Sequence, residues 1–280
     1  MSAARTAPTQ YVEVLDRRLA YRDFGSGTPL LLCVRFRGTM DSWDPAFLDG
    51  LASNGFRVIV FDYSGLGAST GNRTYDPASL ARDAGDLLTA LNIEKAVVGG
   101  WSLGGIAAQI LFATSPQRVS HLVLIGSTPP GQLVKSGEAL FYELAKREND
   151  LEDIVALFFE PRSAASRLAA EQSQRRIAER TTDLSPTIPV EWAGTQLGDA
   201  PRNPMFPADA VLGALKTTKI PVIHIGGDHD IIFPVENWSA LAGQLPTLRV
   251  VTFPETGHGP HQQYPQESAD YIAAFTRNSK

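Results

Sequence analysis

The chain has 280 residues, 43% of them hydrophobic, and a formal net charge of −5, enough to bury the core of one large or two small globular domains. The mild acidity, with no basic patch or arginine-rich tract, argues against a nucleic-acid partner, and no polybasic helix argues for a membrane surface. The one cysteine, Cys33, cannot form an internal disulfide and is read as a small buried apolar residue inside "PLLLCVRF".

Taken in chain order, the N-terminal "MSAARTAPTQ" has no apolar signal core, and no apolar run reaches the roughly 18 residues of a membrane span. A cytoplasmic protein is expected. "YVEVLDRRLAYRDFGSG" (Tyr11 to Gly27) alternates like an antiparallel hairpin. "PLLLCVRF" is a continuous apolar run, hence a strand buried on both faces. "DPAFLDGLASNG" predicts a helix ended by Gly55, and "FRVIVFDYSG" another buried strand. "DPASLARDAGDLLTALNI" predicts an amphipathic helix, with Asp76 as N-cap and Pro77 in the first turn. A strand and helix follow around "VVGGWSLGG", then the strand "VSHLVLIGS". Apolar strands alternating with helices imply a mostly parallel sheet covered on both faces, an α/β fold.

The alternation stops after Gly131. "GEALFYELAKREN", "LEDIVALFFE" and "SAASRLAAEQSQRRIAERTTD" predict helices, followed by a loop rich in Pro and Gly. The strand pattern resumes at "IPVIHIGG", and a helix, the strand "LRVVTFPE" and a last helix "ESADYIAAFTRN" complete the chain. The expected division is an α/β core in two parts, 1–131 and 219–280, interrupted by a helical cap insertion over 132–218. An insertion entering where strands end would roof the crevice in which open parallel sheets bind ligands.

The stretch "VVGGWSLGG" places Ser102 where a buried strand turns into a helix. Gly100-Trp101-Ser102-Leu103-Gly104 reads G-x-S-x-G, the spacing of a nucleophile elbow. Glycines two positions either side leave room for tight packing at the apex. The N–H of Leu103, at a helix N-terminus, is placed to hold a developing oxyanion. A serine hydroxyl needs a base, and the base an acid. Of the five histidines, His121 and His224 are read as strand residues. His258, in "ETGHGPH" after a strand and flanked by Gly257 and Gly259, is the best base. Two carboxylates, Asp228 and Asp230, follow "PVIHIGG".

From about Tyr11 to Phe275 the chain resembles the α/β-hydrolase fold family, in its capped group of esterases, acyl-homoserine lactonases and cofactor-free haloperoxidases. Ser102, Asp230 and His258 follow the family's Ser…Asp…His order. "GDHDIIFP" resembles the family's acid stretch, whose second aspartate is Asp230, with Asp228 the rival. "DYSGLGAS" (Asp62 to Ser69) resembles the family's turn after the fourth strand. Where the family has His-Gly this chain has Val34-Arg35, which implies Phe36 N–H as the second oxyanion donor on a loop stiffened by the loss of a glycine. Arg35 and Trp101 are candidates for the substrate pocket. Arg35 has two open roles: pairing with a nearby Asp or Glu to pin the loop, the commoner fate of such an arginine, or facing the pocket to pair with a carboxylate on the substrate.

The resemblance implies a serine hydrolase acting on a small carboxylic ester or lactone through an acyl-enzyme, with no cofactor. Perhydrolysis of the haloperoxidase kind is one alternative. A ligand receptor built on the same fold, binding tightly and turning over very slowly, is another of a different class. Ser102 speaks against relatives that use an aspartate nucleophile, and Gly259 against ring-cleavage hydrolases, which carry tryptophan there. No clustered His and Cys ligands suggest a metal. The helical stretch offers Phe141, Tyr142, Phe158 and Phe159, read as core rather than pocket. No pattern specifies an oligomeric state.

Overall fold

The computed structural model describes residues 2–279. Its strands are β1 (Gln10–Val14), β2 (Arg17–Gly25), β3 (Thr28–Cys33), β4 (Phe56–Phe61), β5 (Ala96–Trp101), β6 (Val119–Ile125), β7 (Val222–Gly227) and β8 (Leu248–Phe253). They form one sheet in the order β1-β2-β4-β3-β5-β6-β7-β8. β1 pairs antiparallel with β2, and β2 antiparallel with β4. Every other pairing is parallel. Every residue of β5 and β7 is buried, which is why their sequences, His224 apart, are apolar rather than alternating. The edge strands β1 and β8 carry exposed positions, as expected for edges facing water.

The helices are α1 (Ala3–Thr6), α2 (Pro45–Ser53), α3 (Pro77–Ala90), α4 (Leu103–Thr114), α5 (Ala139–Leu144), α6 (Leu151–Phe158), α7 (Ala164–Ala178), α8 (Val190–Thr195), α9 (Asp209–Thr217), α10 (Glu236–Ser239), α11 (Pro260–Gln263) and α12 (Pro265–Asn278). Asp44 and Asp76 cap α2 and α3 through their side chains, each followed by proline at the first helical position. The chain runs from β3 outward to β4, then back past β3 to β5 and on to β8. Right-handed crossovers therefore put α2 on the face opposite α3 and α4. α12 packs against α2, and α3 against α4. The reversal makes β3 and β5 neighbours at the switch point, and the crevice beyond their carboxyl ends is where such sheets bind ligands.

Between β6 and β7 the described residues hold only helices, α5 to α9. α5 is shorter than its sequence suggests. The Asn149 side chain donates to the Leu144 carbonyl at 2.9 Å, and Arg37 takes the carbonyls of Ala145 and Arg147, so the last turns are diverted from helix to side-chain partners. α7 ends at Ala178, before the expected Asp183, because Arg180 and Asp183 bind each other and the N-terminal segment. α8 and α9 lie in the stretch expected to be loop. α9 packs on α4, with Val211 and Leu215 buried. The helical stretch is bolted to the sheet domain by an ion pair and by hydrogen bonds to carboxylates. Arg176 Nη2 lies 2.6 Å from Asp44, which is fully buried and also accepts the Ser173 hydroxyl. Asp41 accepts Arg22 at 2.5 Å and the Ser185 N–H at 2.6 Å.

Candidate active site

At the β5–α4 turn Ser102 has φ 60° and ψ −123°, a left-handed conformation that a non-glycine residue adopts only when its surroundings impose it. The surroundings are backbone. A Cβ on Gly100 would fall 2.1 Å from the Gly104 carbonyl oxygen, and one on Gly104 only 2.0 Å from that of Cys33. Nothing larger than glycine lets α4 start this close to β3 and β5. The Ser102 N–H donates to the Ile125 carbonyl at 2.9 Å, and its own carbonyl accepts the Ser127 hydroxyl at 2.9 Å. The backbone of the apex is thus held on both sides. Leu103 opens α4, and among the described residues its N–H has no acceptor.

The loops after β7 and β8 bring Asp230 and His258 together. His258 Nδ1 lies 2.8 Å from Asp230 Oδ2, and both side chains are buried. Asp230 Oδ1 accepts the N–H groups of Ile232 and Phe233 at 2.8 and 2.9 Å. Burial alone would push the Asp230 carboxyl up. The charge and hydrogen bond of His258 and the two backbone donors outweigh it and hold the carboxyl below its ordinary value. The His258 carbonyl accepts the Trp101 indole N–H at 2.9 Å, which fixes the ring's backbone anchor. His258 Nε2 is buried without a hydrogen-bond partner among the described residues. It is not bonded to Ser102 Oγ here, though both residues line one cavity of about 200 Å³. Asp228 lies apart: it holds His229 Nδ1 at 2.6 Å, and both side chains are more than a third exposed.

The loop after β3 supplies the third wall. Arg37 takes the left-handed conformation, φ 57°, and Gly38 N–H closes a turn onto the Arg35 carbonyl at 3.0 Å. The Tyr75 hydroxyl accepts Arg37 N–H at 2.9 Å, and the Phe36 ring packs on Tyr75 with centroids 4.6 Å apart. Phe36 N–H has no acceptor among the described residues, and Phe36, Ser102 and Leu103 line a second cavity of about 180 Å³.

Two expectations need correction. Arg35 has no carboxylate partner among the described residues. Its guanidinium carbon lies over the Trp101 ring at 5.2 Å and over that of Phe158 at 4.9 Å, on the wall of the first cavity. The adjacent loop holds itself by backbone and Tyr75 contacts and needs no ion pair from Arg35. Burial and the like charge of Arg37 lower Arg35 to about 10. Trp101 lines neither of these two cavities. It is wholly buried, its ring between His261 and Phe158 at 4.5 and 5.3 Å. A strand residue one position before the apex points into the sheet's packing layer, not into the crevice.

The helical stretch contributes more to the cavities than its sequence suggests. Phe141 and Phe158 line the first, and Phe141 and Tyr142 the second, whereas Phe159 is core. Ile232 and Phe233, beside Asp230, also reach the cavities. Their signal was their position two and three residues after the acid. His261, with both ring nitrogens unpartnered, is buried against Trp101, Trp43 and Phe47, a place no local pattern marks. Among the described residues no cluster of three or more His, Cys, Asp or Glu could hold a metal ion, and no helix is long and apolar enough to cross a membrane.

A family model described as the α/β hydrolase fold matches residues 28–263. A Mycobacterium tuberculosis protein named for non-heme bromoperoxidase activity is 27% identical over 248 residues, covering 86% of this chain and 90% of the relative. A pimeloyl-[acyl-carrier protein] methyl ester esterase of Vibrio campbellii is 26% identical over 255 residues, 88% of this chain and 93% of the relative. An α/β hydrolase fold protein from Chitinophaga pinensis superposes with a TM-score of 0.83 at 30% identity, covering 98% of this chain and 99% of that one.

Proposed function

Because the chain belongs to the α/β-hydrolase fold family, we propose that it is a serine hydrolase that cleaves a small carboxylic ester or lactone through an acyl-enzyme. The observation that carries this reading is His258: Nδ1 is tied to Asp230, while the buried Nε2 has no partner and shares a cavity with Ser102. A buried polar atom without a partner is costly, and a hydroxyl proton is what this one lacks. In the proposed reaction Ser102 Oγ attacks the carbonyl and His258 Nε2 takes its proton. Asp230 holds the imidazole in the required tautomer and balances the cation. The N–H groups of Phe36 and Leu103 take the charge that develops on the carbonyl oxygen. His258 returns the proton to the leaving oxygen, and water activated by the same nitrogen releases the acyl group. Residues 132–218 serve as a cap that closes the site from the crevice side.

Ser102→Ala removes the nucleophile and leaves the fold. Hydrolysis of p-nitrophenyl esters is expected to fall on the order of 10⁴ to 10⁶-fold in kcat. A fluorophosphonate probe is expected to label the wild type and not the variant, and equal labelling of both would remove Ser102 from the role. The bromoperoxidase name of one relative favours one second reading, in which peroxide replaces water on the same acyl-enzyme. Acetate-dependent halogenation exceeding ester hydrolysis would identify it.

A further inference from the structure

Most buried or half-buried arginines of this protein are paired. Arg17, Arg22, Arg57 and Arg176 each have a carboxylate oxygen within 2.8 Å. Arg35 departs from that rule. Its Nη1 donates to the neighbouring Phe36 carbonyl at 2.8 Å, its Nε is buried without a partner, and its guanidinium carbon lies over the Trp101 and Phe158 rings at 5.2 and 4.9 Å. Desolvating a guanidinium without a counter-charge is unfavourable. The rings hold it in place, but no residue neutralises it. Arg37 stands on the same wall with Nη1 on the carbonyls of Ala145 and Arg147. The one carboxylate lining this cavity, Glu148, lies 3.9 Å from Arg37 with its side chain 89% exposed. The cavity is therefore a cationic chamber that ends at Ser102 and His258.

The second cavity meets the first at Ser102, Phe36 and Phe141 and differs in chemistry. Leu103, Ile106, Met205 and Phe233 give it an apolar wall, and its one charged lining residue, Arg202, is exposed. His258 lines the first cavity and not the second. The group that protonates a leaving oxygen must be within hydrogen-bond reach of it, so the leaving alcohol belongs in the cationic chamber and the acyl group in the apolar one.

We propose that the substrate is an ester whose leaving alcohol carries a carboxylate, bound by Arg35, and whose acyl group is apolar. This deepens the hydrolase reading above and rests on it. In the acylation step the bond from Ser102 Oγ to the carbonyl carbon forms and the ester C–O bond breaks. The Ser102 proton passes through His258 to the alcohol oxygen, so a hydroxy-carboxylate leaves. Water then splits the acyl-enzyme into a carboxylic acid and free Ser102. Nη1 is taken by the Phe36 carbonyl and Nε is buried, so Nη2, which has no acceptor among the described residues, is the donor left for a charge-assisted contact with a carboxylate.

The test compares 4-carboxyphenyl butyrate with 4-carbamoylphenyl butyrate, nearly the same shape with and without the charge, in wild type, Arg35→Gln and Arg35→Lys. Phenyl hydrogen succinate, with its carboxylate on the acyl side, completes the set. Wild type is expected to prefer the carboxyphenyl ester over both others. Arg35→Gln is expected to lower the ratio of kcat/KM for carboxyphenyl to carbamoylphenyl ester by about 10-fold or more, the effect of losing a charge-assisted hydrogen bond. Arg35→Lys should retain part of the ratio. An unchanged ratio in Arg35→Gln, or a wild-type preference for the succinate, overturns the proposal while leaving the hydrolase intact. Absence of any Ser102-dependent turnover overturns the hydrolase reading, and this inference with it. If Arg35→Gln does not fold, wild type alone decides. 4-Hydroxybenzoate must protect Ser102 from the fluorophosphonate about 10-fold better than 4-hydroxybenzamide, and equal protection overturns the assignment.

Discussion

Two aspartates two residues apart, Asp228 and Asp230, meet different fates because of what each oxygen faces. Asp230 is buried, with one oxygen on His258 and the other on two backbone N–H groups. Asp228 is more than a third exposed and holds the equally accessible His229. Under the proposed mechanism only Asp230 can fix the tautomer of His258. Asp230→Asn is therefore expected to lower kcat by on the order of 10⁴, as loss of the corresponding group does in serine proteases. Asp228→Asn should stay within a few-fold of wild type. Kinetics on folded proteins with a p-nitrophenyl ester decide it, and a larger loss from Asp228→Asn would transfer the role to that residue. Trp101 carries a similar lesson. Standing beside the serine in sequence, it acts from behind the site, holding the His258 carbonyl through its indole N–H.

The strand-to-helix turn is the element on which the site depends. α4 begins so close to β3 that a methyl group on Gly104 would meet the carbonyls of Cys33 and Val34 at 2.0 and 2.7 Å. Backbone cannot rotate away as a side chain can. Gly104→Ala must therefore shift the first turn of α4, and the Leu103 N–H moves with it. The expected result is a destabilisation of about 1–3 kcal/mol, typical of overpacking, together with a fall in kcat larger than the change in KM. Urea unfolding and steady-state kinetics measure the two effects. Full activity with wild-type stability would mean that the turn relaxes without displacing the donor. The loop after β3 forms a second such element. There Arg37, not a glycine, takes the left-handed backbone, and it ties the loop to the carbonyls beyond α5.

Across the whole molecule, buried neutral histidines link folding to pH. His224, stacked on Trp238 behind the Asp230 loop, is lowered by burial to about 3 against the partial opposition of Asp230. His261 is lowered well below its ordinary value by burial, with His258 and Arg35 adding to it. In the unfolded chain both would titrate near the ordinary value of about 6.5. The unfolded state thus binds more protons as pH falls, and stability present above about 6.5 is lost toward acid. The slope is up to about 1.4 kcal/mol per pH unit for each histidine. Asp230, held below its ordinary value, adds a loss in the same direction at still lower pH. Asp62, pushed up by burial, acts in the opposite sense just above the ordinary carboxylate range. Both ring nitrogens of His261 lack partners, so His261→Leu strands no polar group. It is expected to flatten the profile by up to one proton's slope in urea unfolding at pH 7.5, 6 and 5. A profile as steep as that of wild type would mean that His261 is not held neutral in the fold.

Local order was legible from sequence wherever a residue's neighbours along the chain set its environment. Continuous apolar runs mark strands buried on both faces. Asp-Pro pairs mark the starts of α2 and α3. The glycines around Ser102 mark a turn that tolerates no Cβ. That His258 meets an aspartate of the loop after β7 followed from their places, since parallel strands in one sheet deliver their C-terminal loops to one edge; the choice of Asp230 over Asp228 rested on the family resemblance. α8 and α9 escaped because short helices in Pro- and Gly-rich sequence form where packing, not propensity, rewards them. The roles of Arg35 and Trp101 were decided only in three dimensions. A strand end specifies alternation of faces, but whether a carboxylate comes within reach of a guanidinium depends on chain segments far away in sequence. Here the segment that arrives at Arg35 brings Phe158, not an acid, and that tertiary choice leaves a cation facing the candidate active site.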